Sequence, residues 1–350
     1  MGTNSACALL SGRTVECWGQ NQQGELGNGT TATSGCYCST TPVAVSGLRG
    51  ATAISVGTNS ACALLSGGTV ECWGLNSVGQ LGNGTTTISS TPVAVSGLSG
   101  ATAISVGTNS ACALLSGGTV ECWGSNNYGQ LGNGTTTDSS TPVAVSGLSG
   151  ATAVSMGSAS SACALHSGGT VECWGWNYYG ELGNGTTTDS STPVAVSGLS
   201  GATAISVGGS PSACALLSGG TVECWGDNGD DTLGNGTTTN SSTPGAVSGL
   251  SGATTISVGD SACALLSGST VECWGLNNSG QLGNGTTTNS STPVAVSALS
   301  GATAISMGSA SACALHSGGT VECWGFNYTG ELGNGTTTNS STPVPVTVTW

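Results

Sequence analysis

The chain has 350 residues, of which 61 are glycine and 37% are hydrophobic, and its 16 acidic residues are accompanied by only two basic ones. A formal net charge of −14 excludes nucleic-acid binders that neutralise phosphates with Lys and Arg, and an anionic membrane surface would repel the chain for the same reason. No apolar run approaches the roughly 20 residues that a membrane helix needs, so we expect no membrane insertion.

A unit of about 50 residues occurs seven times along the chain. The long first unit contains an insertion, TATSGCYCSTT, before Pro42. A period near 50 residues combined with short apolar runs is typical of the blades of a β-propeller. A parallel β-solenoid fits less well, because its coils are usually shorter.

The predicted elements follow one order in every unit, as the second unit shows. ATAISVG (51–57) predicts a short strand, and SACALLSG (60–67) and TVECWG (69–74) predict two strands around a tight turn. TPVAVSG (91–97) predicts a fourth strand after a long loop. Glycines and Asn-Gly pairs occupy the junctions, as hairpin turns require. The sequence therefore predicts one all-β propeller over residues 1–350, with seven blades of about four antiparallel strands.

Two cysteines ten residues apart occur in every unit. Counting outward from Gly67 places Cys62 opposite Cys72 on adjacent antiparallel strands, where Cβ atoms lie about 4.5–5.5 Å apart, near disulfide reach. Reduced, buried cysteines are the alternative. The predicted intra-blade disulfides are Cys7–Cys17, Cys62–Cys72, Cys112–Cys122, Cys163–Cys173, Cys214–Cys224, Cys263–Cys273 and Cys313–Cys323. So many disulfides favour an oxidising compartment, and we expect a secreted or cell-surface protein.

Cys36 and Cys38 lie in the insertion of the first unit, outside the repeated pairs. A bridge between positions i and i+2 strains the chain. Three states are therefore open for these two cysteines: a mutual bridge, a bridge to a neighbouring molecule, or free thiols.

The run GTNSACALLSGGTVECWGLNSVGQLGNG (57–84) resembles the regulator-of-chromosome-condensation repeat family. The similarity lies in the Ala-Leu strand, in WGLNSVGQLG (73–82) and in the later Pro92, and it extends over nearly the whole chain. It implies a seven-bladed propeller, and the cysteine-bearing form looks like secreted bacterial members. The basic surface that suits chromatin contact is missing, so nucleotide exchange is not implied. Some relatives bind other proteins through one propeller face.

The two ends of the chain do not match a circle of complete units. The first two residues align with residues 56–57, so one blade lacks its first strand. TPVPVTVTW (342–350) lacks the usual Ser-Gly turn, and its alternating valines predict a continuing strand. Three interpretations follow. The chain is a fragment of a longer protein, segment 343–350 closes its own ring, or this segment completes the next molecule and builds a head-to-tail fibre.

The residues that follow each Trp-Gly pair differ most among the units. Equivalent loops of a propeller lie on one face or rim, where exposed aromatic side chains stack on sugars or anchor partners. Drift among near-identical copies is the alternative interpretation. The predicted binding residues for a protein or glycan ligand are Tyr128, Trp176, Tyr178, Tyr179, Phe326 and Tyr328.

Every unit also carries Asn-Gly-Thr, which is both an N-glycosylation sequon and a tight-turn motif. The predicted glycan acceptors are Asn28, Asn83, Asn133, Asn184, Asn235, Asn284 and Asn334. Further sequons begin at Asn240, Asn277, Asn289, Asn327 and Asn339.

Catalytic and cofactor motifs are missing from the sequence. The only histidines, His166 and His316, occupy one repeat position that is leucine in the other five units. The acidic run DNGDD (227–231) lacks the spacing and final Glu of a calcium loop. We expect a non-enzymatic, secreted structural protein without a cofactor or metal, which associates with itself in an extracellular fibre or cell-surface assembly. A protein- or glycan-binding propeller is the alternative.

Overall fold

The structure is a computed structural model that describes residues 1–32 and 34–347. Every regular element in these residues is a strand, and none of them contains a helix that could cross a membrane. The 27 strands are β1 (Ser5–Leu9), β2 (Val15–Gln20), β3 (Cys38–Ala44), β4 (Ala51–Val56), β5 (Ser60–Leu65), β6 (Val70–Gly74), β7 (Ser89–Ala94), β8 (Ala101–Val106), β9 (Ser110–Leu115), β10 (Val120–Gly124), β11 (Ser139–Ala144), β12 (Ala151–Met156), β13 (Ser161–His166), β14 (Val171–Gly175), β15 (Ser190–Ala195), β16 (Ala202–Val207), β17 (Ser212–Leu217), β18 (Val222–Gly226), β19 (Ser241–Ala246), β20 (Ala253–Val258), β21 (Ser261–Leu266), β22 (Val271–Gly275), β23 (Ser290–Ala295), β24 (Ala302–Met307), β25 (Ser311–His316), β26 (Val321–Gly325) and β27 (Ser340–Pro345).

The strands form seven antiparallel sheets, which we number as blades 1 to 7 in chain order. Blade 1 contains the three strands β1–β3, and each of the other six blades contains four. The first strands of successive blades pack side by side around a central axis. The ring closes where the indole Nε1 of Trp18 in blade 1 donates to the Glu331 carbonyl oxygen of blade 7, at 2.8 Å. The predicted seven-bladed, all-β propeller is confirmed.

The middle hairpin of each blade has the predicted register. In blade 2, Cys62 pairs with Cys72, and the residues between them pair outward from the turn as expected. The Cα atoms of these two cysteines lie 4.0 Å apart and their sulfurs are bonded. The equivalent bond is present in the other six blades, so the predicted intra-blade disulfides are part of the fold.

The outer strand of each blade lies earlier in the chain than the pattern predicts. TPVAVSG places it at 91–97, whereas β7 spans Ser89–Ala94. Val95 is the last residue to bond to the neighbouring strand, through its N–H to the Val70 carbonyl oxygen at 2.9 Å, and the chain then turns at Gly97, whose φ of 73° suits glycine best. The Val95 side chain is buried against the next blade, so it contributes to the packing between blades.

The hydrophobic core lies between neighbouring blades. Between blades 2 and 3, Leu64, Val70 and Leu81 pack around Trp123, whose Nε1 donates to the Gln80 carbonyl oxygen at 3.0 Å. An equivalent tryptophan in every blade donates in this way to the preceding blade: Trp18, Trp73, Trp123, Trp174, Trp225, Trp274 and Trp324.

Glycine and serine join the blades at the central axis. A Cβ atom on Gly57 would overlap the carbonyl oxygen of Gly107. The Oγ of Ser55 accepts the Val106 N–H of the next blade at 3.0 Å, and further blades repeat this bond. The glycines that meet in this close ring are Gly2, Gly57, Gly107, Gly157, Gly208, Gly259 and Gly308.

Candidate functional site

The long loops between the third and fourth strands lie on one face of the propeller, because antiparallel strands alternate in direction. We call this surface the loop face. The tight turns between the second and third strands lie on the opposite face. The loop face consists of residues 21–37 (with residue 33 outside the described residues), 75–88, 125–138, 176–189, 227–240, 276–289 and 326–339.

A buried asparagine holds each long loop in shape. The Oδ1 of Asn76 accepts the Leu81 N–H at 2.9 Å, and its Nδ2 donates to the carbonyl oxygens of Thr85 and Thr87. These bonds fix the backbone of the loop, so the residues beside Asn76 project from a rigid loop. The equivalent asparagines are Asn21, Asn76, Asn126, Asn177, Asn228, Asn277 and Asn327.

Four of the six predicted aromatic residues meet on the loop face, and we call them the aromatic patch: Tyr128 of blade 3 with Trp176, Tyr178 and Tyr179 of blade 4. The ring centroid of Trp176 lies 6.0 Å from that of Tyr128 and 5.7 Å from that of Tyr179. Tyr178 and Tyr179 meet edge to face at 4.8 Å. Tyr128 and Tyr178 are 45% and 66% exposed, so large aromatic surfaces face solvent side by side.

Phe326 and Tyr328 form a separate aromatic pair on blade 7. Their ring centroids lie 4.8 Å apart, and Tyr328 is 65% exposed. Blade 7 is three blades away from blade 4 in the ring, so this pair is not part of the aromatic patch. The predicted set of six residues therefore forms two surfaces of different size.

A buried carboxyl group lies beneath the aromatic patch. The Oε2 of Glu181 accepts the Tyr179 N–H at 2.9 Å, while its buried Oε1 has no partner within the described residues. Burial, with a smaller contribution from the nearby carboxylates of Asp227 and Asp189, raises the pKa of Glu181 to about 7. The patch thus rests on a group that titrates near neutral pH.

The charge of the loop face is negative. Asp227, Asp230 and Asp231 follow the aromatic patch in the loop of blade 5. The only basic residues of the chain, Arg13 and Arg49, lie in turns on the opposite face. A ligand on the aromatic patch therefore meets acidic side chains and no basic one.

The predicted glycan acceptors lie in the long loops and are half-buried. In the sequon that begins at Asn83, the backbone N–H and the hydroxyl of Thr85 donate to Asn83 Oδ1 at 3.1 and 2.8 Å. The other six predicted sites repeat these two bonds. By contrast, Asn277 and Asn327 also begin sequons but are fully buried loop-holding asparagines, and they are inaccessible to a glycan.

The two histidines lie away from the loop face, at the far ends of second strands. The Nε2 atoms of His166 and His316 lie 3.0 and 3.1 Å from carboxylate oxygens of Glu172 and Glu322. Within the described part of the chain, no group of three His, Cys, Asp or Glu side chains is placed to hold a metal ion.

A second candidate surface is an apolar groove between blades 7 and 1, which we call the open groove. It has a volume of about 190 Å³ and is lined by residues such as Ala8, Leu9 and Leu315. Leu9 and Leu315 are 37% and 40% exposed, whereas the equivalent Leu64 is 6% exposed. The groove occupies the place where the other blades have their first strand.

The predicted donor or closing segment, 343–350, does not fill the open groove in its described part. Residues up to Pro345 form β27 on the outside of blade 7, and Val346 is buried in the core between blades 7 and 1. Residues 348–350 lie outside the described residues.

Comparison with protein families identified the repeat. The model of the Regulator of chromosome condensation (RCC1) repeat matches residues 15–64, 68–114, 118–164, 169–215, 220–266 and 271–315. A second RCC1 repeat model matches residues 51–80 and 101–130. No curated protein matches the chain at a significant level.

Solved structures share the fold at low sequence identity. Prp20p from Saccharomyces cerevisiae, studied for its binding to Gsp1p and histones, is 19% identical with a TM-score of 0.82, over 100% of this chain and 87% of that one. Human WBSCR16 is 21% identical with a TM-score of 0.83, over 96% and 95%. The CRINKLY ectodomain of the Arabidopsis thaliana receptor kinase ACR4 is 20% identical with a TM-score of 0.56, over 99% and 96%. Identities this low show a common fold alone.

Proposed function

The chain belongs to the family of regulator of chromosome condensation (RCC1) repeat proteins, and from this premise we propose that it is a non-enzymatic propeller that binds a protein on its loop face. Propellers of this type often bind proteins, as the yeast relative Prp20p does with Gsp1p and histones. The observation that carries the proposal is the aromatic patch. Aromatic side chains cluster there on the surface, whereas the seven equivalent tryptophans of the blades are buried in the core.

The chemistry of the loop face favours a partner with positive charge. Cations bind over aromatic rings within about 6 Å of the ring centroid, and they bind best over tryptophan. The acidic loop of blade 5 follows the patch and attracts the same kind of partner over a longer range. Because no basic residue lies on the loop face, an acidic partner would gain no opposite charge there.

We also propose that the protein works at the cell surface or outside the cell, in the manner of secreted bacterial members of the family. Every cysteine is disulfide-bonded, and seven of the eight bonds lie inside blades. Disulfides of this kind persist in oxidising compartments and are rare in the cytosol.

The binding proposal is tested with a cationic and a neutral probe. Biolayer interferometry on the immobilised full chain measures binding of a lysine-rich histone tail peptide, and a glycan array measures binding of sugars. We expect the peptide to bind and Trp176→Ala with Tyr178→Ala to weaken it at least thirtyfold, since aromatic hot-spot residues contribute about 2 kcal/mol or more. Phe326→Ala with Tyr328→Ala is the matched control and leaves binding unchanged. Equal losses in both variants would contradict a site on the patch, and binding of sugars alone would make the propeller a glycan binder.

As a second candidate function, we propose that copies of the chain join head to tail in an extracellular fibre or surface assembly. The open groove supports this proposal, because an extended strand from another copy could pair with the unpaired edge of β1. A repeated heterologous contact that does not close into a ring produces a fibre. If segment 343–350 is the donor, β27 has to leave its own blade, since its described part pairs with β26.

Negative-stain microscopy tests the fibre. We expect filaments from the parent chain and isolated discs from the variant with Leu9→Asp and Leu315→Asp, because charge in the open groove opposes an apolar strand. Leu9→Ala with Leu315→Ala is the milder control for folding. Isolated discs from the parent chain at high concentration would contradict the fibre.

We further propose that the seven Asn-Gly-Thr sites carry glycans. The bonds from Thr85 to Asn83 support this, since they present the asparagine and the hydroxyl together at an accessible loop. Intact mass spectrometry of the protein from its native source is expected to exceed 33.5 kDa, and a mass that matches the bare chain would contradict it.

A further inference from the structure

One disulfide differs from the other seven in position and surroundings. Cys36, in the long loop of blade 1, is bonded across a single residue to Cys38, the first residue of β3. Cys36 and Tyr37 are exposed and Cys38 is half-buried, whereas the hairpin disulfides lie inside blades, as in Cys62 and Cys72. A thiolate from solution can therefore approach the Cys36 sulfur, whereas the hairpin cysteines are buried except for Cys7, which is half-buried in the lining of the open groove.

The small ring formed by this bond holds Tyr37 in an unusual conformation. The φ of Tyr37 is 54°, in the left-handed region that bulky residues rarely adopt. Both peptide groups of Tyr37 belong to the ring, so opening the bond lets the residue return to an ordinary φ. Exposed and strained disulfides are the labile ones in thiol–disulfide exchange.

The fold does not depend on the Cys36–Cys38 bond. A disulfide stabilises a protein less when the loop that it closes is shorter, and this loop is the shortest possible around one residue. The equivalent loops of the other six blades keep their shape without a cysteine, through the buried asparagine that is Asn21 in blade 1. Blade 1 also keeps the bond from Asn21 N–H to the Tyr37 carbonyl oxygen.

We propose that Cys36–Cys38 is a thiol–disulfide exchange site, through which the loop face forms a reversible covalent bond with a thiol-bearing ligand. The ligand's thiolate attacks the Cys36 Sγ, a new S–S bond forms there, and the Cys36–Cys38 bond breaks. The electron pair leaves on the Cys38 sulfur, which takes up a proton from water. Attack by the Cys38 thiolate on the mixed disulfide reverses the reaction and releases the ligand. No net oxidant or reductant is required, because one disulfide replaces another.

Titration with glutathione tests the exchange. The oxidised full chain is incubated with reduced glutathione, quenched with N-ethylmaleimide at mildly acidic pH, and mapped by mass spectrometry. We expect glutathione on Cys36 at concentrations at least tenfold below those that open any hairpin disulfide. Opening of Cys36–Cys38 only together with the hairpin disulfides would overturn the proposal.

Three variants separate exchange from mere accessibility. In Cys38→Ser the Cys36 side chain is a free thiol, so this variant is loaded with oxidised glutathione: the Cys36 thiolate attacks one glutathione sulfur, a mixed disulfide forms and reduced glutathione leaves. Because the thiol that releases the ligand is missing, this adduct should persist after dilution, while the parent adduct is lost. Tyr37→Gly accepts a positive φ without strain, so about tenfold more glutathione should be needed to open the ring. Unchanged titration in Tyr37→Gly together with a transient adduct in Cys38→Ser would overturn the proposal. Cys36→Ser, treated with oxidised glutathione in the same way, is the control and should form much less adduct, because its remaining thiol, Cys38, is half-buried.

A protein probe identifies the source of the thiol. Reduced thioredoxin with its second active-site cysteine replaced by serine is offered beside glutathione at equal thiol concentration. A mixed disulfide with either probe supports the site, and the larger yield identifies a protein or a small-molecule ligand. No adduct with either probe would overturn the proposal.

Discussion

Two junctions between blades show what the first strand of a blade contributes. The complete junction lies between blades 2 and 3, and the open junction, with its groove, lies between blades 7 and 1. In the open junction Leu332 and Val346 stay buried and Trp18 still donates to the preceding blade, as Trp123 does in the complete junction. Leu315, however, is 40% exposed, against 6% for Leu64.

The difference divides the packing between blades into two parts. The outer part is built by the tryptophan, the long loop and the fourth strand, and it forms whether or not a first strand follows. The inner part covers the second strand, and it needs the first strand of the next blade. The ring of seven blades closes through the outer part together with contacts of residues 1–3 at the axis: the Met1 amino group donates to Ser306 Oγ at 2.8 Å, and Thr3 Oγ1 lies 3.0 Å from Ser309 Oγ.

Truncating one leucine in each junction gives the largest expected contrast. Leu64→Ala should lower the free energy of unfolding by about 2–3 kcal/mol, because it leaves a cavity in a packed core. Leu315→Ala should cost below about 1 kcal/mol, because water already reaches this side chain. Guanidinium chloride unfolding followed by tryptophan fluorescence measures both. Equal costs would show that the open junction is covered in solution.

Supplying the missing strand as a peptide should remove part of the contrast. The peptide GLSGATAIS, which has the sequence of residues 97–105, can pair with β1 as β8 pairs with β9. At a peptide concentration of about 100 times Kd, it should stabilise the chain by about 2.7 kcal/mol. Thermal unfolding with and without the peptide measures this, and the same peptide with aspartate in place of isoleucine is the control. An identical midpoint with all samples would show that the open groove does not accept a strand.

A carboxyl group should give the two junctions different pH dependence. Gln80 of the complete junction corresponds to Glu331 of the open one, and burial raises the pKa of Glu331 above its ordinary value. The folded state then binds the Glu331 proton more tightly than the unfolded state does. The contribution of this group to the free energy of unfolding is therefore greatest at low pH, and it decreases as the pH rises above about 4.5. Glu331→Gln should raise the free energy of unfolding by about 1 kcal/mol at pH 8 and leave it unchanged at pH 4.

Gln80→Glu is the mirror experiment for this prediction. It should lower the free energy of unfolding by a similar amount at pH 8 and change it little at pH 4. Denaturant unfolding at both pH values measures this. A gain from Glu331→Gln that is the same at both pH values would contradict the titration of this group.

The sequence predicted the parts of the fold that depend on local spacing. The ten-residue separation of Cys62 and Cys72 determined the hairpin register, and the repeat predicted seven blades. The outer strand was predicted two or three residues too late, because Val95 has the alternation of a strand but packs between blades. The alternation of apolar and polar residues indicates which side chains are buried, but it does not indicate whether they pack within their own blade or against the next one.

The candidate site was predictable by residue type but not by arrangement. The six aromatic residues formed one set in the sequence, whereas the structure divides them, because only the loops of blades 3 and 4 are adjacent. The sequence analysis missed Glu181 beneath the patch. The equivalent residue of blade 3 is Gln130, so a change from glutamine to glutamate between the two units was visible in the sequence. Nothing in the sequence distinguishes the buried sequons at Asn277 and Asn327 from the accessible ones.

The close ring of glycines at the axis also governs how such a protein can grow by duplication of its units. A Cβ atom on each of these glycines would lie within 2.6 Å of the next glycine's carbonyl oxygen, so no larger residue fits there unless the backbone shifts. A side chain as small as a methyl group there would force neighbouring blades apart. A duplicated unit would therefore fit beside its neighbours at this distance only with glycine at this position.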